Sequence, residues 1–263
     1  YEFSTPSITL ENLFNANVVR NQVPSYIAKN TCTQIIYTSG STGSPKGIMV
    51  SSGNIISFAL DSQFYPVKAD ENFAQSSSFA FDASNFEIWL PLFNGVSITI
   101  VKEPVFDIYN WNRAISEKGV TTAWMTAGLF NTFVDLDFSL ISGLKTLFVG
   151  GEALSPAHIN KAYQNSIDLT LYNGYGPTEL TTFTTTYQIP REDAASQSIP
   201  IGYLLNNSHA QIVNAEGSVV PIGVPGELIV ASSGMTMGYL NDHEKTIKAF
   251  TSKDIDGVTK TFY

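Results

Sequence analysis

The chain has 263 residues, of which 43% are hydrophobic and 14% charged, so it can bury a large core and lacks the composition of a disordered segment. Its 14 basic and 23 acidic residues leave a net charge of −9, which argues against nonspecific nucleic-acid binding. No apolar run reaches the ~18 residues of a membrane helix, and Tyr1-Glu2-Phe3-Ser4 lacks the order of a signal peptide. The single cysteine, Cys32, excludes an internal disulfide framework and a zinc–cysteine cluster, and fits a reduced, cytoplasmic setting. A cytosolic enzyme with a small polar ligand is the default reading; a protein-binding module is the rival.

Residues 1–30 are polar and irregular. Gln34-Ile35-Ile36-Tyr37 reads as a buried strand and Ile48-Met49-Val50 as another, with a loop of small residues between them. Apolar residues at 55, 56, 58, 60 and 64 predict a helix over 54–64. Helices are then predicted over 84–93, 109–118, 128–134 and 156–165, alternating with strands over 96–101, 120–125, 144–149 and 169–172. Asn94-Gly95 and Gly119 stop the first two of these helices, and Ser155-Pro156 starts the last. The alternation predicts an α/β region of layered, mostly parallel sheets over 1–190. Beyond it, Pro190, Pro200, Pro221 and Pro225 separate short alternating runs at 210–213, 218–220 and 227–230, ahead of a helix over 242–250. Residues 191–263 therefore read as a small β-rich, barrel-like subdomain.

The loop Thr38-Ser39-Gly40-Ser41-Thr42-Gly43-Ser44-Pro45-Lys46-Gly47 is the strongest chemical signal. Its glycines let backbone N–H groups approach an anion, its hydroxyls add donors, and Lys46 adds a point charge. It is not the P-loop of nucleotide triphosphatases, because Pro45 precedes the lysine and Gly47 follows it. Asn173-Gly174-Tyr175-Gly176-Pro177-Thr178-Glu179 follows a strand, where open α/β sheets place ligands. There Tyr175 is suited to stack on a purine, Asn173 to bond its edge, Thr178 to bond phosphate and Glu179 to hold Mg2+. A Gly-Pro turn with a capping Thr and a first-turn Glu is the plainer alternative. Asp82, set among apolar residues, needs a partner such as an α-ammonium, or serves as a helix N-cap. His158, His209 and His243 read as isolated surface residues, while Cys32 and Trp89 read as core or near-core residues.

Together these stretches resemble the adenylate-forming enzymes, and most closely the amino-acid adenylation domains of nonribosomal peptide synthetases. The loop at 37–47 is similar to the family's phosphate loop, Phe81-Asp82-Ala83-Ser84 to its substrate-amine motif, and Gly150-Gly151-Glu152 to its adenine-side turn. Residues 173–179 are similar to its nucleotide and magnesium motif, and Gly226-Glu227-Leu228 through Gly238-Tyr239-Leu240 to its β-subdomain signature. The resemblance spans about 33–263. It implies catalytic roles for Thr42, Lys46, Thr178 and Glu179, with Glu179 holding Mg2+. It implies ATP binding by Ser39, Gly40, Ser41, Thr42, Gly43, Lys46, Gly151, Glu152, Asn173, Tyr175, Gly176 and Thr178. The implied substrate pocket is Asp82, Ala83, Phe86, Trp124, Phe148, Gly150, Gly174, Thr182 and Phe183. It has one carboxylate, for the α-amine, and four aromatic rings, with Gly150 and Gly174 leaving a modest space. A branched aliphatic amino acid, valine or a near relative, is the expected substrate.

The resemblance further implies transfer of the activated acyl group to the phosphopantetheine of a carrier protein, with condensation domains as further partners. Neither a nucleic acid nor a membrane is expected as a partner. Ser51-Ser52-Gly53 stands where the family usually carries a histidine, and Met237 where it carries an arginine. The family's ribose-binding aspartate and catalytic lysine, which lie in stretches beyond Tyr263, are absent. The chain is therefore expected to be an internal segment of a longer polypeptide, or only its ordered part, and to be inactive alone. The rivals are an acyl- or aryl-acid ligase of the same superfamily, which has no use for Asp82, and a noncatalytic scaffold piece.

Overall fold

The computed structural model describes residues 28–38, 45–61, 64–206, 208–255 and 257–263. Strands β1 (Cys32–Thr38) and β2 (Lys46–Ser51) form an antiparallel hairpin. Ser51 then caps helix α1 (Ser52–Ala59): its side chain accepts from the Asn54 N–H, and the Asn54 side chain answers the Ser51 N–H.

The centre of the fold is a seven-stranded sheet. It contains β3 (Asn72–Gln75), β4 (Ser97–Ile100), β5 (Thr122–Thr126), β6 (Thr146–Gly150), β7 (Thr170–Tyr175), β8 (Thr185–Gln188) and β9 (Tyr203–Leu204), in the order β4-β3-β5-β6-β7-β8-β9. The first five strands in that order run parallel, and β8 and β9 are added antiparallel. The predicted α/β class and the mostly parallel sheet are thus present.

Strand parity divides the core into two layers. Ala123, Met125, Leu147, Val149 and Leu171 face helices α3 (Ile108–Lys118), α4 (Ala127–Asp137) and α5 (Pro156–Asn165) in the larger layer. Phe73, Trp124 and Phe148 face the other way, toward Phe58 of α1 and toward Phe86 and Leu90 of α2 (Ala83–Phe93). Gly119 ends α3 in the left-handed region at φ 70°, a conformation that glycine adopts at little cost.

The remaining strands are two antiparallel hairpins, β10 (Ser208–Val213) with β11 (Glu227–Ser232), and β12 (Thr251–Ile255) with β13 (Val258–Phe262). Helix α6 (His243–Ala249) precedes the second. Val219, in the run expected at 218–220, makes a single bridge to Val213. Beyond β13, Tyr263 exchanges two backbone hydrogen bonds of 2.8 and 2.9 Å with Val230.

Three placements differ from the sequence reading. Helix α1 stops at Ala59 rather than running to 64. The chain turns there, with Asp61 N–H on the Phe58 carbonyl and the Asp61 carboxylate bonded to Asn206, and Phe64 reaches Phe58 across the turn. Trp89 is not in the core. Phe86 and Leu90 take the inner side of α2, leaving Trp89 37% exposed beside Phe93. Cys32 opens a two-stranded hairpin and is exposed.

Candidate active site

The parity that builds the smaller core layer also gathers most of the expected pocket. Trp124, Phe148 and Tyr172 are register partners across β5, β6 and β7, and so are Thr126, Gly150 and Gly174 one step further on. Phe148 lies 4.7 Å from Phe86 and stacks on Tyr172 at 4.5 Å and on Phe183 at 5.8 Å, while Trp124 is 5.3 Å from Phe183. Ala83, Phe86, Trp124, Phe148, Thr182 and Phe183 are all buried. The expected space over the two glycines is already filled. A Cβ on Gly150 would sit 2.7 Å from the Trp124 ring and 2.0 Å from the Gly174 carbonyl oxygen, and a Cβ on Gly174 would sit 2.6 Å from the Phe183 ring. These glycines admit aromatic rings rather than leave room beside them.

Asp82 occupies the N-cap position of α2, yet its backbone is helical (φ −66°, ψ −22°) and its side chain makes no cap hydrogen bond. The carboxylate meets the Thr178 hydroxyl instead. Burial pushes its pKa up; Thr178 and the N–H groups of Ala83 and Asp82 pull the other way, and the charge of Glu179 adds to the rise. Thr182 donates its hydroxyl to the Asp82 carbonyl at 2.8 Å. Thr181 and Thr182 hold φ of 60° and 66°, a costly conformation for β-branched residues, which bends the chain after Glu179 back over the pocket.

The polar side centres on Glu179, which is buried. Lys46 Nζ donates to Glu179 Oε1 at 2.7 Å and to the Tyr239 hydroxyl at 3.0 Å, and that hydroxyl donates to the same Oε1 at 2.7 Å. Lys46 also lies 4.5 Å from the Tyr239 ring centroid. Burial pushes the Glu179 carboxyl up, but Lys46 and Tyr239 outweigh it and hold its pKa below the usual range. Burial and Glu179 push the Tyr239 phenol up. Tyr239 reaches the cluster because 237–240 pairs with β2: Met49 N–H bonds the Gly238 carbonyl at 3.0 Å and Leu240 N–H the Gly47 carbonyl at 2.7 Å. As a site residue it escapes sequence reasoning; its only signal is membership of the run at 238–240.

The other expected nucleotide residues are more dispersed. Ser39, Gly40, Ser41, Thr42 and Gly43 lie outside the described residues. Gly151 (φ 82°) and Glu152 are exposed just beyond the carboxyl end of β6, and Tyr175 is 41% exposed at the end of β7. Gly176 is pressed against the Thr182 carbonyl, 2.5 Å from where a Cβ would stand. Asn173 is buried on the opposite sheet face from Gly174 and donates its amide to the Pro200 carbonyl at 2.8 Å. Among the described residues no group of three or more His, Cys, Asp or Glu gathers in a metal-binding arrangement. The hard oxygens of Glu179 and Thr178 suit Mg2+, which takes one or two carboxylates and completes its shell with phosphate oxygens and water. Lys46 and Tyr239 both bond Glu179 Oε1, and Oε2 takes part in neither bond.

The family model of AMP-binding enzymes matches residues 3–240. Surfactin synthase subunit 2 of Bacillus subtilis (strain 168) is 37% identical over 251 residues, which is 95% of this chain and 7% of that protein. Tyrocidine synthase 3 of Brevibacillus parabrevis is 41% identical over 217 residues, 82% of this chain and 3% of that protein. Among solved structures, PA1221, an NRPS protein containing adenylation and PCP domains, superposes with a TM-score of 0.86 at 33% identity, covering 90% of this chain and 48% of that one. The chain therefore spans a small fraction of the curated relatives it matches. No helix of the described residues is long and apolar enough to cross a membrane.

Proposed function

The chain belongs to the AMP-binding enzyme family, and on that premise we propose that it forms the nucleotide- and substrate-binding part of an amino-acid adenylation domain. The reaction joins the amino-acid carboxylate to the α-phosphate of ATP, releasing pyrophosphate and leaving an aminoacyl-adenylate. The observation that carries this reading is the placement of Asp82. It is a half-buried carboxylate with no cap hydrogen bond, between an uncharged aromatic wall and the Thr178–Glu179 pair. A bound α-ammonium supplies the charge that Asp82 lacks, and the substrate carboxylate is then directed toward the polar side.

Each group has a stated task. The wall of Phe86, Trp124, Phe148 and Phe183 excludes water and accepts a short apolar side chain; its lack of a second charge favours a branched aliphatic amino acid, valine foremost. Thr178 bonds the Asp82 carboxylate and faces the phosphates. Lys46 pairs with phosphate charge. Glu179 and Thr178 would hold Mg2+, which supplies charge neutralisation at the phosphates when bound. Transfer to the phosphopantetheine of a carrier protein, work alongside condensation domains and a cytoplasmic setting complete the proposal; the synthetase relatives and the adenylation–PCP structure support the carrier-protein partner.

The test is amino-acid-dependent ATP–pyrophosphate exchange by the longest native polypeptide containing this chain. Exchange with valine or a close relative is expected. Exchange with fatty or aryl acids and with no amino acid would establish the acyl-ligase alternative, which leaves Asp82 without a partner.

A further inference from the structure

Glu87 lies on α2, one residue past Phe86, and is completely buried with 0% of its surface exposed. An ionised carboxylate in such a place is costly unless its oxygens are fully bonded. Here they are. Oε2 accepts the N–H groups of Ser76 and Ser77 at 3.1 and 2.8 Å, and Oε1 accepts their hydroxyls at 2.9 and 3.0 Å. Burial pushes the carboxyl up to about 7 against these four bonds.

Ser76 and Ser77 begin the connection from the carboxyl end of β3 to α2, and that connection delivers Asp82. Apolar packing does not hold it: Phe79 and Phe81, its large side chains, are 71% and 64% exposed. Its other ties are polar: the Gln75 amide on the Ser77 carbonyl at 2.6 Å, the Phe81 and Ala80 N–H groups on Ser78 at 3.0 and 3.3 Å, and, at its far end, Ser84 of α2 on the Phe81 carbonyl and the Thr182 hydroxyl on the Asp82 carbonyl, so that Glu87 is what fixes its start. Glu87 is the buried group that binds the start of this connection to the helix whose first turn carries Asp82. Both ends of the segment 76–82 are thereby referred to one rigid element, α2.

We propose that Glu87 is a positioning residue for recognition of the substrate α-amine, setting the path of residues 76–81 and with it the placement of the Asp82 carboxylate. The proposal rests on the amino-acid adenylation reading of Asp82. It assigns a role to a carboxylate that touches neither the aromatic pocket nor the Lys46–Glu179 cluster through any hydrogen bond described above.

The test uses Glu87→Gln in the longest native polypeptide containing this chain. Gln keeps the shape and an acceptor for the two N–H groups but removes the charge, and its NH2 meets the Ser76 and Ser77 hydroxyls only after both turn from donors into acceptors. The readouts are KM for valine, KM for ATP, and selectivity for valine over its deamino counterpart 3-methylbutanoate. Glu87→Gln is expected to raise the valine KM and to narrow that selectivity by about 10- to 100-fold, the range of a lost charge-assisted hydrogen bond, with the ATP KM within about twofold. The double change Ser76→Ala, Ser77→Ala removes only the hydroxyl donors and is expected to move the same two quantities less, in the same direction. It also decides the matter should Glu87→Gln fail to fold. A lowered Tm with unchanged valine KM and unchanged selectivity in the folded variant overturns the proposal, leaving Glu87 as a strut between loop and helix. Failure of the wild-type polypeptide to exchange with any amino acid overturns the underlying reading instead, and is seen before any variant is made.

Discussion

The aromatic wall of Phe86, Trp124, Phe148 and Phe183 and the polar cluster of Lys46, Glu179 and Tyr239 meet at Asp82 and Thr178, and different forces hold them. The wall is a set of interlocked rings, with centroids 4.7 to 5.8 Å apart for the Phe86–Phe148, Trp124–Phe183 and Phe148–Phe183 pairs, pressed onto two glycines. Each such pair contributes about 0.5–1.5 kcal/mol beyond its buried area, and none can move without opening a cavity. The polar cluster is held by three hydrogen bonds around one carboxylate oxygen. Those bonds can be exchanged for phosphate or metal contacts of similar strength. The wall is therefore fixed before a ligand arrives, and the cluster is arranged to swap partners. Discrimination among side chains belongs to the first, and response to nucleotide belongs to the second.

The sharpest way to break this division is at the junction. Asp82→Ala in the longest native polypeptide should lower kcat/KM for amino-acid activation by at least ~10²-fold, because a substrate ammonium is left unpaired in an apolar site. ATP binding should persist, since Lys46, Thr178 and Glu179 remain. The Tm should change little, because the cost of burying the Asp82 carboxylate outweighs its bonds to Thr178 and the Ala83 N–H. An unchanged kcat/KM in exchange assays would return Asp82 to a local structural role and leave the wall without a recognised substrate.

The wall can be tested separately. Trp124 is 8% exposed, and its ring covers Gly150. Trp124→Leu should open length in the pocket, moving preference from valine toward leucine or phenylalanine by about 10- to 100-fold. It should also cost stability, as any large-to-small change in a packed layer does. The ranking of exchange rates separates the two effects, because a stability loss acts on all substrates alike. A lower Tm with the order of valine, leucine and phenylalanine unaltered would make Trp124 purely a core residue.

How much of this was legible in the sequence follows from the range of the forces involved. Helix α5 spans Pro156–Asn165, as predicted, because its start is written locally in Ser155-Pro156. Strands β3, Asn72–Gln75, and β8, Thr185–Gln188, were not anticipated; they are four residues long and polar at several positions, and their place comes from neighbouring strands. Trp89 was misplaced because hydrophobicity gives no side of the helix, and Phe86 and Leu90 had the stronger claim to the inner face. The gathering of Asp82 with Thr178, and of Lys46 with Glu179 over 133 positions, reflects a topology that no local pattern encodes. Glu87 reads as one more helical residue until its partners, ten and eleven positions earlier, are seen.

Two buried carboxylates give the comparison its finest test, because their linkage to pH has opposite sign. Lys46 and Tyr239 outweigh burial at Glu179 and hold its folded pKa below its ordinary value of 4.5. Unfolding then favours protonation, so Glu179 contributes stability above about pH 4.5 that is lost as pH falls through its folded value. Burial raises Glu87 from 4.5 to about 7. Its folded form binds a proton that the unfolded chain has released, so its contribution is complete below pH 4.5 and is lost as pH rises through about 7. Gln at either position removes the titration. The Tm deficit of Glu179→Gln relative to wild type should therefore be largest near neutrality and shrink on acidification below pH 4.5. The deficit of Glu87→Gln should be largest near pH 4.5 and shrink as pH rises to 7. Shifts of a few °C are expected for a chain of this size, read by thermal melts of the 263-residue chain from about pH 2.5 to pH 8. If both deficits move in the same direction, the two carboxylates are not held by different forces, ion pairing at Glu179 and neutral donors in a fully buried site at Glu87.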